Sequence, residues 1–247
     1  DLADFGQTDL QHRLVHGGMP SFFEAPEPPE RDFQEWVDAF WAKDVQELFR
    51  LERRRSFQHF LELLLMQSGG IFEASRFARP CEVSRTTIAN YLSVLEATYV
   101  IHVVRPFSSH RATEIVSAPR VYGFDTGFVC HYRDWREIRT EDLGLLWEHY
   151  VLNELHATLQ TRDIRYWRDK RGHEVDFVIS RRSKAVGIEC KWSLAAFEPA
   201  GLAAFHRQYP EAELLVVHQD SDRPFNRPFG DLTVTCLGLA DLVDRLR

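Results

Sequence analysis

The stretch EVDFVISRRSKAVGIECKW (residues 174–192) places two carboxylates and an ammonium group inside or beside short apolar runs. Its polar centre, SRRSK, predicts a β-hairpin. Because side chains alternate along a strand, Glu189 and Lys191 should share one face, while Cys190 between them faces the core. A bend at the start of the first strand can bring Asp176 beside Glu189. The hairpin therefore predicts a cluster of charged groups in a largely buried setting.

A third acid is expected from the segment before the hairpin. Residues 143–160 (LGLLWEHYVLNELHATLQ) predict a helix, and Glu148 falls on the same apolar stripe as Leu155. Carboxylates that point inward cost free energy unless something pairs with them. A divalent cation held by Glu148, Asp176 and Glu189 would supply that pairing, and hard oxygen ligands suit Mg²⁺ or Mn²⁺.

The chemistry that such a set of residues supports is metal-assisted hydrolysis of a phosphodiester. Lys191 could orient or deprotonate an attacking water, or it could stabilise the pentavalent phosphate. Each feature alone has a plainer explanation. A Glu-x-Lys pair on a strand is often a solvated ion pair, and a Glu near the start of a helix favours the helix dipole. The sequence is compatible both with an active catalytic site and with an inactive remnant of one.

Composition and charge bound the class of protein. The chain has 247 residues, of which 44% are hydrophobic and 27% charged, which is typical of a soluble globular protein. Its net charge of −7 is unevenly spread: residues 50–120 hold ten arginines against six glutamates, which leaves that segment basic. The four scattered cysteines disfavour a zinc site and a disulfide framework, and no apolar run could span a membrane. We therefore expect a cytoplasmic protein with no membrane partner.

The basic segment contains a helix-turn-helix pattern. The run FEASRFARPCEVSRTTIANYLSVLEATYVIHVVRPF predicts a short helix, a tight turn, a second helix capped by Ser84, and a strand over 99–104. A second strand is expected over 120–124. This is the layout of a winged helix, whose second helix can enter the major groove of DNA. A helix pair that serves only packing or protein interaction is the alternative. The residues predicted to contact DNA are Arg85, Thr86 and Asn90.

Further basic residues stand just before the charged hairpin. Arg168 and Lys170 precede Asp176 and could meet the phosphate backbone, although a solvated hairpin edge explains them equally well. Helices and strands alternate from residue 143 to the end of the chain, which predicts an α/β architecture with a mixed central sheet.

The order Glu148, Asp176, Glu189 and Lys191, with the last three on a hairpin, resembles the PD-(D/E)XK nuclease superfamily, which includes restriction endonucleases and Holliday-junction resolvases. The spacing fits, although Val175 stands where the motif has proline. The resemblance implies that the three acids are metal ligands and belong with Lys191 to a catalytic site.

A second resemblance covers nearly the whole chain. Six motifs, GGMPSFF, VSRTTIANYLSVLEATYVIHVVRPF, APRVYGFDTGF, GLLWEHYVLNEL, YWRDKRGHEVDFVI and IECKWS, resemble in their order the C-terminal half of a family of bacterial and archaeal AAA-type ATPases. In that family a P-loop ATPase module precedes a winged helix and a domain of unknown function with a nuclease-like fold. The resemblance implies an ATPase-module end and helical lid remnant over 1–45, a winged helix over 46–128 and a restriction-endonuclease-like domain over 129–247.

The sequence departs from that family in one respect. It contains no GxxxxGK[ST], so these residues have no P-loop to cradle nucleotide phosphates. ATP is therefore expected to act only through an N-terminal ATPase module that lies outside this chain. The first residue of the chain, Asp1 rather than Met, agrees with this expectation. That module and DNA are the expected partners, and an oligomer is left open. The leading expectation is a metal-dependent, nuclease-like DNA-binding module, and the rival is an inactive module that binds DNA or protein.

Overall fold

The chain folds into two compact units. The computed structural model describes residues 7–49, 51, 53–108, 118–181, 184–220, 223–230 and 232–247. The N-terminal unit holds the described residues of 7–103 and 118–138, and the C-terminal unit holds those of 104–108 and 139–247. The predicted polar loop SSHRATE lies outside the described residues after Ser108. None of the helices in the described ranges is long and apolar enough to cross a bilayer.

The N-terminal unit is mainly helical. A π-helical turn, Trp41–Val45, joins its third and fourth helices. Two strands lie next to each other at its edge: β1 (Ile101–Pro106), whose last residues belong to the C-terminal unit, and β2 (Arg120–Gly123). Its helices are α1 (Gln7–His16), α2 (Pro20–Phe23), α3 (Glu30–Phe40), α4 (Gln46–Phe49), α5 (Arg54–Met66), α6 (Ala74–Ala78), α7 (Arg85–Ala97) and α8 (Thr126–Tyr132).

Aromatic side chains fill the core of this unit. Phe57 of α5 meets Tyr91 of α7 edge to face, with ring centroids 5.2 Å apart, and Phe60 meets Phe77 of α6 at 5.3 Å. Edge-to-face packing is a favourable geometry for buried rings. Apolar residues at helical spacing between residues 31 and 67 predict two amphipathic helices, which is confirmed, since these residues form the buried faces of α3 and α5.

The predicted order of helix, turn, helix and two strands is confirmed for α6, α7, β1 and β2. Ser84 caps α7 as predicted, since its hydroxyl oxygen accepts a hydrogen bond from the backbone N–H of Thr87 at 3.1 Å. The first strand begins at Ile101, two residues later than predicted, because Tyr99 adopts a left-handed backbone conformation with φ of 61°. That conformation ends the helix before the strand can start.

The glycines of GGMP and the prolines of EAPEPPE predict irregular structure for the first 30 residues, and for their described part this prediction is wrong. They form α1 and α2, and α1 packs against α8, which the sequence also did not predict. A buried carboxylate joins these pieces: Asp125 accepts hydrogen bonds from the backbone N–H groups of Gly18 at 2.7 Å and Gly127 at 2.8 Å. A Cβ on Gly127 would lie 2.6 Å from the carbonyl oxygen of His16, so only glycine allows this approach. The motifs GGMP and FDTG are therefore structural.

The C-terminal unit alternates helices and strands. A short 3-10 helix, Leu194–Ala196, follows its hairpin. Its helices are α9 (Thr140–Leu159), α10 (Ala200–Gln208) and α11 (Leu239–Leu246), and its strands are β3 (Ile164–Arg168), β4 (Glu174–Arg181), β5 (Lys184–Lys191), β6 (Glu213–His218), β7 (Phe225–Phe229) and β8 (Leu232–Leu237).

These strands form a mixed sheet, as predicted. Their order, starting with the end of β1, is β1-β3-β4-β5-β6-β8-β7. The pairs β1–β3, β5–β6 and β6–β8 are parallel, and β3–β4, β4–β5 and β7–β8 are antiparallel. The apolar run ELLVVH (213–218) predicts a strand and residues 239–246 predict a closing helix, and both are confirmed, whereas β7 was not predicted. Its sequence, FNRPF, contains a proline and is largely exposed, so it lacks the apolar alternation that identifies a strand.

Helix α10 covers one face of this sheet. Its residue Phe205 packs against Gly187 of β5, where a Cβ would lie 3.0 Å from the ring. Gly187 and Val216 therefore mark the α10 face of the sheet, because Val216 belongs to the same apolar core as Phe205. Helix α9 contacts β5 and α11, and the indole N–H of Trp147 donates to the carbonyl oxygen of Val217 at 3.1 Å. Layers of helix and sheet are thus held by both apolar packing and a buried hydrogen bond.

Candidate functional site

The site is built where β4 and β5 separate. Regular pairing of the hairpin ends with Phe177 opposite Ile188. Beyond that pair, the carboxylate of Asp176 takes the place of a backbone acceptor: its Oδ2 accepts a hydrogen bond from the backbone N–H of Cys190 at 2.8 Å. The strands separate at the position of the bend predicted near Asp176, and the hydrogen bond fixes the carboxylate beside the end of β5. Asp176 is 9% exposed, so the group is held in the interior.

Glu189 and Lys191 lie side by side, as the alternation predicted. The ammonium of Lys191 donates to Oε1 of Glu189 at 2.8 Å, and both side chains are largely buried. The second carboxylate oxygen of Glu189, Oε2, is buried without a hydrogen-bond partner among the described residues. A buried acceptor without a partner costs free energy, so this oxygen is poised to receive a ligand.

The charges of the cluster act on one another. Burial raises the pKa of Glu189 to about 8, the neighbouring carboxylates of Asp176 and Glu148 add to the shift, and the Lys191 ammonium opposes it. Burial, and after it the carboxylates of the cluster, raise the pKa of the Cys190 thiol against the opposing charge of Lys191, so the thiol stays protonated. Glu148 of α9 is thus within electrostatic range of both β5 residues, so three predicted acids meet in one region.

Lys191 is held in its charged form. Burial alone would lower its pKa, but the carboxylates of Glu189 and Asp176 outweigh that effect and raise it. An ammonium offers only hydrogen-bond donors. Of the roles considered for Lys191, charge stabilisation fits this setting better than proton abstraction.

The fit of this cluster to a metal ion is partial. Its three carboxylates form an all-oxygen set of the type that Mg²⁺ and Mn²⁺ prefer, and the unpartnered Oε2 of Glu189 is an open ligand position. In the described part of the chain, however, no group of three or more His, Cys, Asp or Glu side chains is arranged to hold an ion as it stands. A metal would therefore need a side-chain rearrangement in this cluster.

The two basic residues predicted before the hairpin, Arg168 and Lys170, differ in their contacts. Arg168 on β3 is paired with Glu174 on β4, with 3.0 Å between Nε and Oε1. Lys170 lies exposed in the turn between the two strands, a turn that Asp169 stabilises by accepting hydrogen bonds from the backbone N–H groups of Arg171 and His173. Lys170 is thus presented to solvent on an ordered turn, whereas the Arg168 guanidinium is engaged in an ion pair.

The predicted DNA-contacting residues of α7 share one solvent-facing side. Arg85, Thr86 and Asn90 are all exposed, and Ser93 continues the same row. The first turn of α7 contains no acidic residue. A surface of this kind is compatible with DNA and with a protein partner.

One pair of polar residues at this end of the sheet was missed by the sequence reasoning. His218, the last residue of β6, is buried, and its Nδ1 lies 2.6 Å from Oδ1 of Asp220. The register of the parallel strands places His218 beside Lys191. The sequence could have indicated His218, because a histidine directly follows the apolar residues of ELLVV at the carboxyl end of a predicted strand. Ligands of α/β proteins commonly bind at such strand ends.

Two families of domains match the chain, one in each part. The family described as "Domain of unknown function (DUF4143)" matches residues 143–239, which contain the charged cluster. The family described as "Domain of unknown function (DUF8612)" matches residues 7–139, more than half of the chain.

Two curated relatives come from mycobacteria. They are "Uncharacterized protein Mb2031c" of Mycobacterium bovis and "Uncharacterized protein Rv2008c" of Mycobacterium tuberculosis. Each is 25% identical to this chain over 198 residues, which cover 77% of the chain and 44% of the relative. The chain thus spans less than half the length of these relatives. On the extent of the N-terminal match, the chain belongs to the family described as Domain of unknown function (DUF8612).

Proposed function

We propose that the C-terminal unit is a metal-dependent phosphodiesterase module that acts on DNA. The observation that carries this proposal is the Oε2 atom of Glu189, which is buried without a partner in a cluster that also contains Asp176, Lys191 and the charge of Glu148. A protein core that only needed stability would not retain such a group, because an apolar residue there would cost less.

The roles of the residues follow from their contacts. Glu148, Asp176 and Glu189 would hold Mg²⁺ or Mn²⁺. The cation, when bound, supplies a Lewis acid that lowers the pKa of water and offsets charge on a phosphate. Asp176 is already oriented by the Cys190 N–H, and Lys191 donates its ammonium protons toward charge that develops on the phosphate oxygens. This is the arrangement that the PD-(D/E)XK resemblance implies.

DNA would be engaged by basic and polar side chains outside the acid cluster. The exposed row Arg85, Thr86 and Asn90 on α7 is suited to a major groove if the N-terminal unit acts as a winged helix. Lys170 on its ordered turn is suited to a phosphate of the backbone. We further propose that the full-length protein couples this module to a separate ATPase module, a setting that the sequence resemblance supports.

A cleavage assay tests the proposal. Supercoiled, duplex, branched and single-stranded DNA would be incubated with Mg²⁺ or Mn²⁺, or with chelator, and Asp176→Asn would be compared with wild type. Metal-dependent cutting that Asp176→Asn reduces by about 1,000-fold, equivalent to about 4 kcal/mol, is the expected result. Asp163→Asn is the matched control, because Asp163 is an exposed acid of the same unit paired only with Arg165 in the contacts described. Cutting that survives in chelator would contradict the proposal.

An inactive binding module is the second candidate. The observation that favours it is the Glu189–Lys191 ion pair, in which the two charged groups already satisfy each other in part. If this candidate is right, wild type binds DNA without cutting it, and Arg85→Ala weakens binding while Asp176→Asn does not. If neither binding nor cutting is seen, the exposed face of α7 is best assigned to a protein partner.

A further inference from the structure

A buried histidine and an acid lie next to the charged cluster. His218 ends β6 and is 3% exposed. In the parallel pairing of β5 and β6 it is the register partner of Lys191, just as Val216 is the partner of Glu189. Register partners in adjacent strands project from the same face of a sheet. The imidazole of His218 therefore lies on the face that carries Glu189 and Lys191.

The hydrogen bond to Asp220 fixes the state of the ring. Nδ1 of His218 lies 2.6 Å from Oδ1 of Asp220. Burial would raise the pKa of Asp220, but the hydrogen bond and charge of His218, together with backbone N–H groups, outweigh burial and lower the pKa, so the carboxylate is ionised and can only accept. Nδ1 therefore carries a proton, and in the neutral form of the ring the lone pair lies on Nε2. Nδ1 faces the half-exposed Asp220, whereas Nε2 is buried.

Nε2 of His218 is buried and makes no hydrogen bond among the described residues. Glu189 Oε2 on the neighbouring strand is in the same situation. Two buried polar atoms on one face of adjacent strands thus lack partners among the described residues, and a polar ligand that bonded to both would remove the free-energy cost of leaving them unpaired.

We propose that His218 is a catalytic residue of this site, which receives the attacking water on Nε2 and accepts its proton. The inference rests on the proposed phosphodiesterase function. As the water oxygen forms its bond to phosphorus, one water proton moves to Nε2. The bond between phosphorus and the departing sugar oxygen breaks with its electron pair, and that oxygen takes a proton from solvent. Asp220 is the positioning residue, since it acts only by holding the ring.

Single-turnover kinetics separates this role from a structural one. With DNA in the most cleavable form and saturating protein, His218→Asn should lower the cleavage rate by about 100-fold, the size expected for a lost proton acceptor. The Kd for DNA, measured by anisotropy with Ca²⁺ in place of Mg²⁺, should change less than about threefold, because the substitution removes no phosphate contact. His206→Asn is the matched control: its Nδ1 is also buried without a partner among the described residues, but it lies on helix α10 and not in the β5–β6 pairing.

A second variant keeps the test decisive if His218→Asn does not fold. Asp220→Asn changes a half-exposed side chain and should leave the melting temperature nearly unaltered. It should lower the single-turnover rate by about tenfold at unchanged Kd, because the ring loses its orienting acceptor. An unaltered rate in Asp220→Asn or in folded His218→Asn would overturn the inference while leaving the nuclease function intact.

The tautomer can be read without any activity. In protein labelled with ¹⁵N-histidine, Nδ1 of His218 should carry the proton and Nε2 should show the shift of an unprotonated nitrogen at neutral pH. The opposite tautomer would overturn the inference whether or not the protein cuts DNA. If wild type cuts no DNA with Mg²⁺ or Mn²⁺, the proposed function fails and the inference fails with it.

Discussion

Two buried carboxylates, one in each unit, show opposite ways of placing an acid in a protein interior. In the N-terminal unit, both oxygens of Asp125 accept backbone hydrogen bonds, from Gly18 and Gly127. In the C-terminal unit, Glu189 has one oxygen on Lys191 and the other without a partner among the described residues. Burial raises the pKa of both acids. The difference teaches that burial alone does not distinguish Glu189 from a structural acid such as Asp125, whereas incomplete hydrogen bonding does.

The largest stability effect is expected at Asp125. Asp125→Ala would leave the N–H groups of Gly18 and of the buried Gly127 without acceptors, which should lower the free energy of unfolding by about 3 kcal/mol. Urea denaturation of the purified protein would measure the change. A loss below about 1 kcal/mol would mean that the hydrogen bonds of Asp125 do not hold α1 against α8. Asp125 could then no longer serve as the structural acid with which Glu189 is compared.

A backbone variant sharpens the same point. Gly127→Ala puts a methyl group 2.6 Å from the carbonyl oxygen of His16, and backbone cannot yield as a flexible side chain does. We expect a loss of about 2 kcal/mol, the usual cost of overpacking. Gly144→Ala is the matched control, since its added methyl group meets nothing within 4 Å, and the helix α9 should tolerate it. Equal stability of the two variants would contradict the close approach.

The pH dependence of stability should reveal Glu189. Its pKa of about 8 in the folded protein lies above the ordinary value of 4.5. A raised pKa means that the contribution to stability is complete below the unfolded value and is lost as the pH rises through the folded one. The metal-free wild type should therefore lose stability relative to Glu189→Gln between pH 5.5 and 9, by more than about 1 kcal/mol, since one pKa unit is worth about 1.4 kcal/mol.

Denaturation of both proteins in chelator at several pH values gives this difference directly. Titrating groups outside the cluster cancel, because the two proteins differ only at residue 189. A pH-independent difference would show that Glu189 is ionised throughout, held by Lys191 as an ordinary ion pair.

The smallest effect is expected on DNA binding. Arg85→Ala should weaken binding by about 1 kcal/mol and lower the salt dependence by the equivalent of about one phosphate contact. Arg31→Ala, which removes an exposed arginine of α3 paired with Glu35, is the matched control. Anisotropy titrations at two salt concentrations would measure both variants. Equal effects would place the DNA contact, if there is one, elsewhere than on α7.

The sequence predicted those parts of the molecule that depend on local pattern. Alternation placed Glu189 and Lys191 on one face, and the 3.6-residue period and the cap at Ser84 placed α7. It did not predict α1 and α8, because their association depends on a tertiary hydrogen bond to Asp125 rather than on an amphipathic stripe. The unpredicted strand β7 has the same cause, since it is stabilised by pairing with β8 and not by its own composition.

The candidate site follows the same division. Spacing brought three acids and a lysine together in the prediction, and the structure places Asp176, Glu189 and Lys191 in contact range, with Glu148 near enough to act on Glu189. His218 was not predicted, because its position beside Lys191 depends on the register of two strands separated by a helix. The periodicity of hydrophobic residues within one strand does not determine how that strand is aligned with another.

Binding of Mn²⁺ tests most directly the claim that the incompletely bonded acid is the functional one. Isothermal titration at pH 8 would compare wild type with Asp176→Asn, Glu189→Gln and the structural variant Asp125→Asn. One Mn²⁺ per chain should bind wild type and Asp125→Asn alike, and binding should be lost in the other two, because only they remove oxygens from the cluster. Wild type that binds no Mn²⁺, or variants that bind it as tightly as wild type, would contradict the account.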